Sequence, residues 1–207
     1  MLKKTDWFIF AKQIQLPNQI LINMTILDQV QTLSEIQKGL ADISQQLIDF
    51  SNQYTEEIYF APFGEKWSMA GNLEHLILTN TAMSKTFSYP KEALAAQFGK
   101  AERPSLTGPE IIGKYLLVLG KMKIKAPPAY SPQASTPQSK TVLLKMWDDV
   151  ELAFQNNLKN WSDEDLDTYR IPHPAMGNLN LREMVLFAIY HTNHHLKAMK
   201  KIAEVNA

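Results

Sequence analysis

Apolar residues recur at spacings of three and four along four stretches of the chain, with polar residues between them, and that period predicts helices. Leu27, Val30, Leu33, Ile36, Leu40, Ile43 and Leu47 place the first from about Met24 to Leu47. Gly39 falls inside this run and weakens it without ending it. Met69, Leu73, Leu76, Asn80, Met83 and Phe87 predict a second helix over 69–87, behind a Ser68 N-cap. Leu143, Trp147, Val150, Phe154 and Leu158 share a face of a third, over 140–158. Leu181, Met184, Ala188 and Met199 share a face of a fourth, opened by Asn180 with Glu183 three residues later, a pattern that resembles a capping box. Pro109 suits the first turn of a shorter helix over 109–119. No run alternates at strand period for long, and there is no internal repeat. The expected architecture is all-α, with four long helices and one short extra helix.

The intervening segments lack this period. Residues 1–20 read as a short leading helix or an extended arm, interrupted at Pro17. Pro62 and Gly64 mark a turn within 50–67. Residues 88–139 form a long connection broken at Tyr89-Pro90, Arg103-Pro104 and Gly108-Pro109. Its stretch APPAYSPQASTP, Ala126 to Pro137, reads as a loop wrapped on the surface and suited to covering a site. Trp161 to Pro174 reads as another loop, ending in IPHPAMGNLN. Neither side of these segments holds an obvious second unit, so residues 1–207 are expected to form one helical domain with an elaborated connection at 88–139.

Composition narrows the chemistry. The chain has no cysteine, so a disulfide, a cysteine nucleophile and a cysteine–zinc cluster are all excluded. The formal net charge is zero, which gives no electrostatic case for a nucleic-acid partner. The basic run KMKIK at 121–125 reads as a solvated helix end. No glycine-rich phosphate loop is present. No stretch approaches the roughly 20 apolar residues of a membrane span. The N-terminal apolar run from Trp7 to Ala11 is too short for a signal peptide and is followed at once by Lys12. The expectation is a cytoplasmic protein acting without a membrane or nucleic-acid partner. A homodimer through exposed bundle faces is compatible with the pattern.

Histidine placement supplies the candidate chemistry. His191 and His195 lie four apart on the last helix, about 40° apart on a helical wheel, on the face that the apolar residues bury. An i, i+4 pair can direct two imidazole nitrogens at one ion. His75 lies on the second helix, on a face that also holds Ser68, Asn72, Thr79, Ala82 and Thr86. A third ligand from a facing helix would complete a set with open coordination positions, the pattern of a catalytic rather than a structural metal site. The same spacing also suits histidines that are solvated or singly hydrogen-bonded near a helix C-terminus. The HExxH arrangement of metalloproteases is absent, because Thr192 follows His191. His173, between two prolines, is a candidate acid or base at the mouth of such a site, or a residue that orders its loop. His194 is a candidate supporting or surface residue. Asn72 and Thr79 are candidates for orienting an imidazole or a bound water. Trp67 and Trp147 read as packing anchors.

The segments KWSMAGNLEHLILT at 66–79 and HPAMGNLNLREMVLFAIYHTNHHLKAM at 173–199 resemble the DinB/YfiT-like superfamily of metal-dependent enzymes. Trp67 and Ser68 match that family's Trp-Ser helix start. His75, His191 and His195 match its metal ligands, and His194 matches an extra histidine often found just before the last. The resemblance implies a four-helix bundle with a long connection between helices two and three. It also implies one divalent ion, nickel or zinc foremost, with iron and manganese also admitted. Gly71 departs from the glutamate that many members carry shortly before the histidine. Lys197-Ala198 departs from a glutamine that often follows the second ligand. Relatives include enzymes that join low-molecular-weight thiols to electrophiles, as well as metal-dependent isomerases and hydrolases. The implied activity is metal-dependent chemistry on a small organic substrate, foremost the transfer of such a thiol. Metal-dependent hydrolysis and a non-catalytic, metal-holding or stress-related role are the alternatives.

Overall fold

Each long helix begins where a side chain can satisfy first-turn N–H groups. α1 (Leu33–Asn52) starts behind Thr32, whose hydroxyl accepts from the Glu35 N–H while Glu35 reaches back to the Thr32 N–H, a complete capping box. α3 (Met69–Phe87) starts at Ser68, which accepts from the Gly71 N–H at 3.1 Å. α6 (Lys140–Leu158) starts at Ser139, which accepts from Val142. α8 (Leu181–Asn206) is the longest of the described helices. Between these lie α2 (Glu56–Phe60), α4 (Lys91–Phe98), α5 (Gly108–Met122) and α7 (Asp163–Thr168). A 3-10 turn spans Pro128–Tyr130, and an antiparallel hairpin joins β1 (Arg170–His173) to β2 (Gly177–Asn180). This computed structural model describes residues 32–122, 126–132 and 139–206.

α1, α3, α6 and α8 form a helical bundle in which α3 packs against α6 and α8, and α1 packs against the same two. Its centre is dry and close-packed. Ile36, Leu40, Leu47, Leu73, Leu76, Trp147, Phe154 and Met199 are all fully buried. Trp147 meets the expectation of an anchor: its indole N–H donates to Ser44 Oγ at 2.9 Å. The all-α architecture holds, and the helices expected over 69–87 and 140–158 occupy those bounds.

Three expectations need correction. The continuous first helix from Met24 is replaced by one that begins at Leu33 and runs to Asn52. Thr32 is in extended conformation and its box with Glu35 sets the start, which hydrophobic period alone cannot locate. Residues 24–31, with Leu27 and Val30, lie outside the described residues, as do the expected leading arm at 1–20 and Lys123 to Lys125 of the basic run. Among its described residues, the connection at 88–139 carries two α-helices and a 3-10 turn, not one helix. α4 ends at Gly99, whose φ of 74° is a conformation that glycine tolerates best. The expected loop over 161–174 is instead α7 followed by the first strand of the hairpin. Ser162 and Asp165 form a second capping box, and Ile171 pairs with Leu179 across the hairpin, both buried.

Glu183 ties these segments to the bundle. Its carboxylate is fully buried and accepts from both terminal nitrogens of Arg103, from the Leu106 N–H at 2.6 Å and from the Asn180 N–H at 3.0 Å. The reach back to Asn180 is half of the expected capping box. The Asn180 side chain instead donates to the Arg103 carbonyl and to Ser105. Loss of one partner from a buried, multiply bonded carboxylate leaves donors unpaired. Glu183→Ala is therefore expected to lower the unfolding free energy by about 2–4 kcal/mol, and hydrogen exchange should show the Leu106 amide losing protection.

A second buried acid sits between α3 and α6. Asn80 donates to Glu151 Oε1 at 2.6 Å, while Glu151 Oε2 and Asn80 Oδ1 are buried without a partner. Burial raises the Glu151 pKa from an ordinary 4.5 to about 7, against a smaller lowering by the Asn80 bond. Below pH 4.5 the folded and unfolded chains both keep this proton. Between there and pH 7 the unfolded chain releases it first, so stability is lost as pH rises. The loss is of the order of 3 kcal/mol. Glu151→Gln removes it: denaturant unfolding at pH 5 and pH 8 should show the variant gaining on the wild type at the higher pH.

Candidate metal centre

The start of α3 builds one half of the site. The Ser68 hydroxyl caps the helix, and the Ser68 carbonyl accepts from the Asn72 side-chain N–H₂ at 2.8 Å. That bond fixes the amide, so Asn72 Oδ1 faces α8 and accepts from His195 Nδ1 at 2.8 Å. One turn on, His75 Nδ1 donates to the Tyr130 carbonyl at 2.6 Å. The 3-10 turn thus reaches the site, and the described part of the expected covering loop does cover it. Each acceptor is an oxygen with no proton to give. Both rings therefore carry their proton on Nδ1 and leave the Nε2 lone pair free.

Those lone pairs converge with a third. His75 Nε2 lies 3.2 Å from His191 Nε2, and His195 Nε2 lies 3.1 Å from the same atom. All three histidines are buried, and their candidate ligand atoms lie within 4.8 Å of one another. Metal–nitrogen bonds of about 2.1 Å would separate neighbouring ligand nitrogens by about 3.0 Å at right angles and about 3.4 Å at the tetrahedral angle. A single proton on His191 Nε2 can satisfy only one of its two neighbours, whereas one cation satisfies all three. His191 Nδ1 is buried without a partner. Burial lowers the His75 pKa, against the Tyr130 bond, and holds His191 and His195 well below the usual imidazole value, with the neighbouring rings adding to the effect. All three are therefore neutral at pH 7, the form that binds a metal.

The other candidates fall into distinct places. His173 and His194 both line the cavity of about 370 Å³ that opens beside the three histidines. His173 Nδ1 accepts from the backbone N–H groups of Ala175 and Met176, each at 3.1 Å, and its ring meets Phe187 edge-on. With Nδ1 so occupied, the ring keeps its proton on Nε2. Burial, aided by Lys114, pushes its pKa down to about 4. At neutral pH it is a donor rather than a base. His194 packs edge-on to His195 and Tyr115, and burial followed by Lys197 lowers its pKa. Thr79 also lines the cavity, but its hydroxyl donates to the carbonyls of His75 and Leu76 on its own helix. Orientation of an imidazole falls to Asn72.

Sequence reasoning missed several contributors. Trp67 is not a buried anchor like Trp147. It is half-buried and packs on His75 and His195, with ring centroids 4.9 and 6.1 Å away. A Cβ at Gly71 would meet Trp67 Cβ at 3.1 Å, so the small residue there leaves room for that ring. Phe187 stacks on His191 at 5.1 Å and 19°. Its position four residues before the histidine was a readable signal. Tyr130 offers a backbone carbonyl, which no side-chain pattern announces.

A family model described as the DinB superfamily matches residues 45–199, a span that includes all three histidines. Neither curated proteins nor solved structures show a significant match to the chain.

Imidazole ¹⁵N correlation spectra of the metal-free protein at pH 7 should show His75 and His195 protonated at Nδ1 and His173 protonated at Nε2. Asn72→Ala should abolish the single tautomer at His195 and leave that of His173 unchanged.

Proposed function

The chain belongs to the DinB superfamily, and on that premise we propose that it is a divalent-metal-dependent enzyme acting on a small organic substrate, transferring a low-molecular-weight thiol to an electrophile. One observation carries this reading: three neutral imidazoles aim their Nε2 atoms at one point on the wall of a cavity. His75, His191 and His195 would hold the ion, with Asn72 and the Tyr130 carbonyl holding two of the rings in the binding tautomer. Nickel and zinc suit three imidazoles best, and iron and manganese are admitted. A divalent cation there supplies Lewis acidity, which favours the deprotonated form of a thiol or of water and polarises an oxygen acceptor.

The chain's own residues do the rest. Burial keeps the three imidazoles in their neutral form. Trp67, Tyr115 and Phe187 line the cavity wall and present ring faces and edges to an organic substrate. His173 offers a fixed N–H donor for an acceptor atom on that substrate. In the overall step the S–H bond breaks and a C–S bond forms. The electron pair of the broken carbon–leaving-group bond departs with that group, and the thiol proton passes to solvent. The chain has no cysteine of its own, which fits a thiol supplied as cosubstrate.

No carboxylate lines the cavity among the described residues to serve as base for an attacking water, and His173 is held as a donor. That favours thiol transfer over hydrolysis. The cavity beside the three nitrogens favours a substrate site over a closed, metal-holding role.

Purified protein supplied with nickel or zinc should bind about one ion per chain. His195→Ala should weaken binding at least about 100-fold, and Asn72→Ala about 10–100-fold. Unchanged binding in His195→Ala would defeat the metal assignment. A screen of thiols against alkylating electrophiles should show turnover that depends on the ion and is lost in His195→Ala.

A further inference from the structure

The cavity beside the three histidines is uncharged over its whole described lining. It contains no Asp, Glu, Lys or Arg among the described residues. Away from the histidines, the walls are mostly aromatic and aliphatic, with Trp67, Met83, Tyr115, Met184 and Phe187 among them. Tyr115 meets Phe187 edge-on at 5.0 Å, so the two rings form a corner that suits a flat or compact apolar body. The volume of about 370 Å³ lies at the small end of the roughly 300–1,000 Å³ of small-molecule sites.

An ammonium placed in this cavity, or a carboxylate seated away from the three histidine nitrogens, loses its water and gains no counter-charge from the described lining side chains, a loss that a neutral analogue does not incur. Polar anchorage comes from the three Nε2 atoms and from the His173 N–H. We propose that the cavity takes a small uncharged organic molecule with an aromatic or compact apolar body and one donor directed at the histidine nitrogens, and that it rejects charged thiols of the amino-acid type. The donor's anchorage rests on the metal-site reading above. The selection against charge rests on the lining alone.

Three probes of one shape test this: phenylmethanethiol, its para-carboxylate analogue and its para-aminomethyl analogue, titrated calorimetrically into zinc-loaded full-length protein at pH 7. The neutral thiol should bind at least about tenfold more tightly than either charged one. A charged analogue that binds as tightly as the neutral one overturns the proposal. Thr86→Lys adds a cation to the cavity wall at a position outside the histidine set. It should shift the carboxylate-to-neutral affinity ratio toward the carboxylate at least about threefold, where one charge contact is added. An unchanged ratio overturns the placement of the probe against that wall. Zinc content is measured on the same samples. If no zinc is taken up, the metal reading fails, and the same three probes titrated into the metal-free protein still decide the selection by charge.

Discussion

Two hydrogen bonds to ring Nδ1 atoms hold the arrangement on which the site depends. His75 gives its Nδ1 proton to the Tyr130 carbonyl, and His195 gives its own to Asn72. Without these acceptors either ring could carry its proton on Nε2, and the lone pairs would not converge. The Asn72 bond is itself supported from behind, because Ser68 uses its hydroxyl to cap α3 and its carbonyl to lock the Asn72 amide. The start of the helix and the orientation of His195 on another helix are thus one connected network. Trp67, immediately before the cap, closes it by packing on both His75 and His195.

Glu183 performs the corresponding task at the other end. Its buried carboxylate gathers Arg103, Leu106 and Asn180, so the long connection and the second strand of the hairpin are tied to the first turn of α8. The hairpin then carries His173 to the cavity, and Phe187 and His191 follow one and two turns later on α8. Arg182 adds pairs to Asp163 and Asp167, which hold α7 against the same helix start. Charges are concentrated in this clamp and on the surface. The cavity wall carries none among the described residues.

The long helices were legible because their apolar period is set by backbone geometry and persists over five turns or so. The shorter elements were not. α7 and the two strands of four residues are too brief for a period to emerge, though the Ser162–Asp165 box was a local signal that could have marked α7. The start of α1 was misplaced because Leu27, Val30 and Leu33 continue the apolar pattern across the Thr32 cap. Trp67 was read as core because size and hydrophobicity do not distinguish a ring packed against leucines from one packed against imidazoles.

For the site, spacing alone determined that His191 and His195 share a helix face, since a period of 3.6 residues requires it. It also placed His75 on a helix face with Asn72 and Thr79. Only the tertiary structure decided that Asn72 orients an imidazole while Thr79 spends its hydroxyl on its own backbone, and that His173 is a locked donor. It also decided which proton His75, His173 and His195 keep and that the described lining of the adjoining cavity holds no Asp, Glu, Lys or Arg. The bonds that orient His195 and His75 join groups more than fifty residues apart in sequence, one of them a backbone carbonyl, and a hydrogen bond between distant segments exists only once packing brings its two ends within three ångströms or so.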